Sequence, residues 1–261
     1  MRASSFLLPL LWAGAAVAAP QRIVSLNPCA DAILVEVAPA SRIAALSHWS
    51  HDPAGTSIDL SVARRFPRHF GSAEEVLAFR PDLVIAGAHT PATTRQAFAR
   101  LGIPLVLVGV PSSVDESLQE IRRIAAATAT PAAGEALVAR IETALEAARH
   151  PGAPVPALLR TPAGVVPGAG TLVSDVMART GFVNAAASLG LRSWDILPLE
   201  QLLLRPPAVL LADPKAPPHP ALAKAAPALK VEPLPSRLLN CGGPTIVTLA
   251  QALAAIRDRL P

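Results

Sequence analysis

Tyrosine is absent from this 261-residue chain, tryptophan occurs three times and phenylalanine six, so aromatic side chains make up 3% of the sequence. Basic residues exceed acidic ones by 23 to 19, yet they form no Lys/Arg run and almost no aromatics are interleaved with them. That pattern lacks the footprint of a nucleic-acid binder, so no nucleic-acid partner is expected and the charge serves solubility. Cysteine is scarce, with two residues, which excludes a disulfide-dense scaffold. Charged residues make up 16% against 51% hydrophobic, which excludes a disordered tail and a coiled coil. No apolar run reaches the about 20 residues that a membrane-spanning helix needs. The nearest approach, residues 6–17, follows Arg2 and ends in Ala18 and Ala19, the pattern of a secretory signal peptide. Cleavage is expected after Ala18, since Ala16 and Ala18 then take the two small-residue positions. No cysteine follows the cut, so the expected product is a soluble periplasmic protein that is not inserted in a membrane.

What the chain does have is alternation. Residues 22–26 are a short β-branched run that Asn27-Pro28 stops before a helical pattern over 30–37. Residues 43–46 predict the next strand, followed by a polar loop over 47–53. A helix over 73–79 ends at Pro81 and leads into Leu83-Val84-Ile85-Ala86, an uninterrupted apolar run of the kind covered on both faces of a parallel sheet. Residues 96–101 predict a helix and 104–108 a further covered strand. This order predicts an α/β fold with helices on both sides of a parallel sheet. The middle differs: residues 114–128 and 131–149 carry apolar residues at helical spacing with no strand between them, and Pro131 suits a first helical turn. Strand-like segments resume at 155–159. The predicted organisation is a signal peptide over 1–18, an N-terminal lobe over 19–113, connecting and backbone helices over 114–150, and a C-terminal lobe over 151–261.

A repeat without gaps supports two lobes. Residues 74–86 align on 200–212, placing Glu74 on Glu200, Pro81 on Pro207 and Leu83-Val84-Ile85-Ala86 on Val209-Leu210-Leu211-Ala212. Each copy is a short helix with a leading Glu, a Pro that stops it and a buried strand. Helix-Pro-strand is also a common α/β unit, so ordinary recurrence stands beside duplication as an explanation.

Five segments taken in order, Arg22-Ile23-Val24-Ser25-Leu26-Asn27-Pro28, Gly71-Ser72-Ala73-Glu74-Glu75-Val76-Leu77, Arg80-Pro81-Asp82-Leu83-Val84, Leu101-Gly102-Ile103-Pro104 and 198–207, resemble periplasmic binding proteins of the cobalamin and iron-siderophore ABC-importer type. The resemblance covers nearly all of the chain after the signal peptide. It implies two Rossmann-like lobes with central parallel sheets, a single long backbone helix joining them, and a ligand cleft between. It implies capture of a corrinoid or ferric-siderophore-type metal chelate and its delivery to an inner-membrane ABC permease. It also implies that Glu74 and Glu200, one per lobe, dock on Arg-rich pockets of that permease. A carboxylate at a helix start suits the macrodipole too, so capping is the alternative for both.

Ligand sites in α/β lobes lie beyond the carboxyl ends of the strands. That nominates 27–29, 47–52, 88–90 and 111–113 in the first lobe, and 168–171, the segment around Trp194, 213–214 and 237–243 in the second. Asn27 and Cys29 fall in the first of these segments. Trp49 and Trp194, the two tryptophans beyond the signal peptide, also fall in these loops, and they are the largest stacking surfaces available to a flat ligand. The alternative is that each plugs its own loop. Arg237 is a candidate for an anionic group on the ligand. His48 and His51, with Asp52 and His89, have residue types that ligate metals, but a ligand-contacting loop is the preferred reading, and neither a metal site nor a resident cofactor is expected. The lack of Tyr removes a Tyr-ligated heme.

Cys29 and Cys241 lie one per lobe, both in expected cleft loops. Two cysteines in an exported protein most simply form a disulfide, here across the mouth of the cleft. The alternative is a pair of facing thiols that grip heme or another metal chelate. A third reading is an exported enzyme with a Cys nucleophile and a distant His, although no Gly-x-Ser-x-Gly, His-Glu-x-x-His or Cys-x-x-Cys occurs. The expectation is a monomeric, non-enzymatic binding component of an importer.

Overall fold

The computed structural model describes residues 18–216 and 219–260; the expected signal peptide, Ala18 excepted, lies outside them. Five parallel strands form the first sheet: β1 (Ile23–Ser25), β2 (Ile43–Ser47), β3 (Arg68–His69), β4 (Leu83–Gly87) and β5 (Leu105–Val108), in the order β3-β2-β1-β4-β5. Between them run α1 (Pro28–Val37), α2 (Leu60–Ala63), α3 (Ala73–Ala78) and α4 (Ala92–Arg100). Two helices follow with no strand between them, α5 (Val114–Ala127) and α6 (Pro131–Ala147). The second parallel sheet contains β6 (Val155–Arg160), β8 (Phe182–Asn184), β10 (Val209–Ala212) and β11 (Lys230–Pro233), in the order β11-β10-β6-β8. A separate antiparallel pair joins β7 (Val165–Pro167) to β9 (Trp194–Ile196). The helices of this half are α7 (Leu172–Arg179), α8 (Leu199–Leu204), α9 (Pro220–Ala225) and α10 (Thr245–Arg257).

Period-two alternation along the strands sorts the core into three parts. Ile23, Leu83 and Ile85 of the first sheet, with Ala157, Leu159, Val209 and Leu211 of the second, enter one shared core completed by apolar residues of α1, α5, α6, α7 and α10. Val24, Ala45 and Val84 pack the opposite way, with Val76 of α3 and Phe98 of α4. Leu158, Leu210 and Ala212 do the same in the second lobe, with Leu202 of α8 and Leu222 of α9. The lobes are therefore joined by a common core, and α6, 17 residues and about 25 Å long, packs on α1, α5, α7 and α10 alike. α5 stops because Ala129 turns left-handed (φ 56°) and Thr130 N–H bonds back to the Ala125 carbonyl at 2.8 Å, after which Pro131 opens α6. Gly134 brings the two helices together, since a Cβ there would lie 2.5 Å from that of Ala125.

Both repeat copies occupy equivalent places. β4 lies between β1 and β5, and β10 between β6 and β11. The offset of 126 residues continues into the next strand: Val84 faces Leu105, and Leu210 faces Val231. Val76 and Leu202, at the same offset, are the buried residues of α3 and α8. A register shared beyond the matched segment is what duplication produces and chance recurrence does not.

Local details depart from the sequence pattern. α1 begins at Pro28, not at residue 30, because the Asn27 side chain caps it, accepting from Cys29 N and Ala30 N. α4 begins at Ala92, ahead of its apolar signal, because its first turn is polar. β3 is only two residues long and has no periodicity to read. Residues 48–51 form a 3-10 turn inside the expected loop, and Trp194, expected on a loop, lies in β9. Among the described residues no helix is long and apolar enough to cross a membrane.

Candidate functional site

Residues that follow β1 and β5 (Asn27, Cys29, Val110, Pro111) share a cavity of about 410 Å³ with second-lobe residues that include Thr171, Trp194, Asn240 and Cys241. The second lobe reaches across to the first through residues 236–243. Cys241 forms a disulfide with Cys29, their Cα atoms 5.1 Å apart. Asn240 Nδ2 donates to the Gly55 carbonyl at 2.9 Å, and Gly243 N donates to Ser117 Oγ of the connecting helix α5 at 2.8 Å. With both sulfurs in one bond neither is a thiolate, which removes the gripping-thiol arrangement and leaves the enzyme reading without its nucleophile.

The aromatic residues of the first lobe cluster after β2 and β3, outside the residues that line this cavity. The His48 ring lies 4.5 Å from that of Trp49 and 4.8 Å from that of Phe70, and the Arg68 guanidinium sits 5.8 Å over Phe70. Trp49 is 55% exposed and Phe70 65%. Ser47 and Ser50, on either side of His48 and Trp49, both bond to the buried carboxylate of Asp31. The second-lobe counterpart is Trp194 on β9, held by the ladder to β7 in which Pro167 faces Trp194. Gly168 N donates to the Ser193 carbonyl at 2.8 Å and Gly170 N to that of Arg192 at 2.7 Å. A Cβ on Gly168 would lie 2.6 Å from this backbone, so only glycine fits.

The remaining nominated residues scatter. Asn27 lines the cavity, but its side-chain oxygen is committed to capping α1. His51 is partly buried, and burial, then Arg68 and Arg64, lowers its pKa. His89 and Arg237 are exposed, and Arg237 offers its carbonyl to Ser57 Oγ at 3.5 Å. Asp52 Oδ1 accepts from Ala54 N at 2.9 Å, a local turn. Among the described residues no three of His, Cys, Asp and Glu converge where a metal ion could be held. Sequence reasoning missed Phe70, Asp31 and His69; His69 is buried with Nε2 2.9 Å from the Ser25 carbonyl, and burial lowers its pKa.

Glu74 and Glu200 are exposed in the first turns of α3 and α8. α3 is capped by neighbours instead: Ser72 Oγ accepts from Glu75 N at 3.2 Å, and Glu75 Oε2 accepts from Phe70 N at 2.9 Å. Four residues before each Glu stands an apolar side chain that is 65% exposed, Phe70 in one lobe and Ile196 in the other, again 126 positions apart.

Residues 23–228 match the family model described as periplasmic binding protein. Among solved structures the chain is similar to the periplasmic heme-binding protein RhuT from Roseiflexus sp. RS-1 in apo form, at 26% identity and a TM-score of 0.71, over 91% of this chain and 97% of that one. It shares its fold with the periplasmic heme-binding protein HutB of Vibrio cholerae (20% identity, TM-score 0.74, 92% and 99% covered). The fold is also that of the periplasmic vitamin B12 binding protein BtuF of Vibrio cholerae (20% identity, TM-score 0.71, 92% and 98% covered). No curated protein matches the chain. Two parallel-sheet lobes around a shared cavity and a model match over most of the length give one conclusion: the chain belongs to the periplasmic binding protein family.

Proposed function

We propose that this chain is the periplasmic binding component of an ABC importer for a corrinoid-type metal chelate, and that Glu74 and Glu200 present it to an inner-membrane permease. The observation that carries this reading is the pair of exposed tryptophans, Trp49 and Trp194, one per lobe, in a chain with 3% aromatics. A corrinoid ring brings its metal already held, so it asks the protein for stacking surfaces and a few hydrogen bonds. No bond is made or broken; capture and delivery are the whole activity. A ferric siderophore would place more weight on cations, of which Arg237 is one exposed candidate.

One observation favours heme as a second reading. The His48 imidazole, between the rings of Trp49 and Phe70, is a residue type that ligates heme iron axially, and the similar Roseiflexus structure is of a heme-binding protein. Titrating residues 19–261 with cyanocobalamin, hemin and ferrichrome while following tryptophan emission separates the readings. Tight cyanocobalamin binding is expected. Binding of hemin alone, with a Soret shift lost in His48→Ala, would replace the corrinoid by heme, and binding of none of the three would overturn the reading. Charge reversal by Glu74→Lys with Glu200→Lys should abolish uptake and leave cyanocobalamin affinity intact; a loss of affinity would remove the docking role.

A further inference from the structure

The turn that carries His48 and Trp49 hangs on one buried carboxylate. Asp31, in the first turn of α1, is fully buried, and its Oδ2 accepts from Ser47 N at 3.0 Å, Ser47 Oγ at 2.7 Å and Ser50 Oγ at 2.7 Å. The three donors come from both sides of His48-Trp49, so a single oxygen fixes both ends of that segment. Oδ1 is buried with no hydrogen-bond partner. Helix α1 has no need of the carboxylate, since Asn27 caps it, and a buried carboxyl group is costly to keep. We propose that Asp31 is a positioning residue of the ligand site, holding the 47–51 turn so that the His48 and Trp49 rings meet the chelate. This rests on the reading of the cleft as a chelate site.

Burial pushes the Asp31 carboxyl up to about 7, against the opposing effect of the nearby Ser25 hydroxyl and of its bonds to Ser50 and Ser47. Its charge therefore changes in the neutral range, and hydrogen bonds to an ionised acceptor are roughly twice as strong as those to a neutral one. The titratable groups around it are His48 and His51 on the turn and His69 on β3. β1, β2 and β4 contribute no titratable side chain. On the helices packed against α1, Arg122 pairs with Glu135 and Arg123 with Glu120, Arg140 pairs with Glu36 of α1, and Asp115, Glu116, Glu142 and Glu146 are exposed.

In residues 19–261 carrying Trp194→Phe, Trp49 is the sole tryptophan, and its emission without any chelate reports on the turn. Emission and acrylamide quenching followed from about pH 5 to about pH 9 should show one transition near 7, as Asp31 ionises. The transition should vanish when Asp31→Asn is added, because the amide keeps the shape and an acceptor but never ionises. Ser50→Ala, which removes one donor from the other side, should increase quenching in the same direction. With Trp194 retained, Asp31→Asn should weaken cyanocobalamin or hemin binding about tenfold and flatten its pH dependence, with far-UV circular dichroism unchanged. A transition that survives Asp31→Asn has another source and overturns the proposal, as does unchanged affinity for a probe that the parent protein binds. If the parent protein binds neither probe, the chelate reading fails by itself, and the Trp49 transition decides whether Asp31 holds the turn.

Discussion

The two lobes set their tryptophans in place by different means. In the first, a buried carboxylate catches serines on both sides of His48 and Trp49; in the second, the backbone ladder of β7 and β9, closed by Gly168 and Gly170, carries Trp194. The frames behind them are nearly the same, since α3 to β5 and α8 to β11 keep one offset and one register. Divergence is concentrated where strands end, because a loop beyond the carboxyl end of a strand is not bound by the ladder and is free to change. A side-chain clamp responds to protonation and a backbone ladder does not, so the lobes should differ most when pH is varied.

The largest effect concerns what joins the lobes rather than what divides them. Cys29 and Cys241 are 212 residues apart in sequence, and a loop of that size corresponds to about 5 kcal/mol in the chain-entropy account. Cys29→Ser with Cys241→Ser should lower the melting temperature by about 10–20 °C. A loss below about 1 kcal/mol would show that the shared core holds the lobes together unaided.

Asp31 should give the next largest effect, and its sign sets it apart from its nearest counterpart in the second lobe. Its folded pKa of about 7 lies above the ordinary 3.8, so the folded state holds the proton more tightly than the unfolded chain does. The stability from this group is fully present below about pH 4 and is lost as pH rises through about 7, a change on the order of a few kcal/mol. Asp213, after β10, goes the other way: bonds from Ser236 N and Lys215 N lower its pKa, and its contribution is lost on acidification. Chemical denaturation across this range should show a falling slope that Asp31→Asn flattens. An unchanged slope in that variant would assign the pH dependence to other groups.

Breaking the second lobe's device takes a single methyl group. Gly168→Ala places a Cβ 2.6 Å from the Arg192-Ser193 backbone, which must give way at a cost of about 1–3 kcal/mol. Trp194 emission should change, while Trp49, observed in the Trp194→Phe background, should not. A change at Trp49 as well would mean that the two sides of the cleft are mechanically coupled.

The frame was readable because its signals are local. Pro81 and Pro207 stop helices beside uninterrupted apolar runs, and their alignment reveals two lobes without any structure. The candidate site was readable only as an address: the expected strand-end loops took in Trp49, Trp194, Cys29 and Cys241, of which Trp194 lies in β9 and Cys29 in the first turn of α1. What the loops do there depends on distant partners. Asp31 reads in sequence as a first-turn carboxylate suited to the helix dipole, and its burial depends on serines 16 and 19 residues further on. Phe70 follows a two-residue strand with no period, and β9 becomes a strand only by pairing with β7.

The smallest effect separates the lobes most cleanly. Trp49 and Trp194 are 55% and 42% exposed, so replacing either by Ala should change fold stability by no more than about 0.5 kcal/mol. Each should nevertheless weaken cyanocobalamin binding about tenfold, the scale of one lost aromatic face. The informative comparison is between the pH profiles of the two variants. If Asp31 acts through the turn that carries Trp49, affinity in Trp49→Ala should lose most of its dependence on pH near neutrality. Trp194→Ala should keep that dependence, because its ladder is made of backbone hydrogen bonds that do not titrate. Equal pH dependence in the two variants would mean that protonation acts on the cleft as a whole, and the contrast between a side-chain clamp and a backbone ladder would then have no functional consequence.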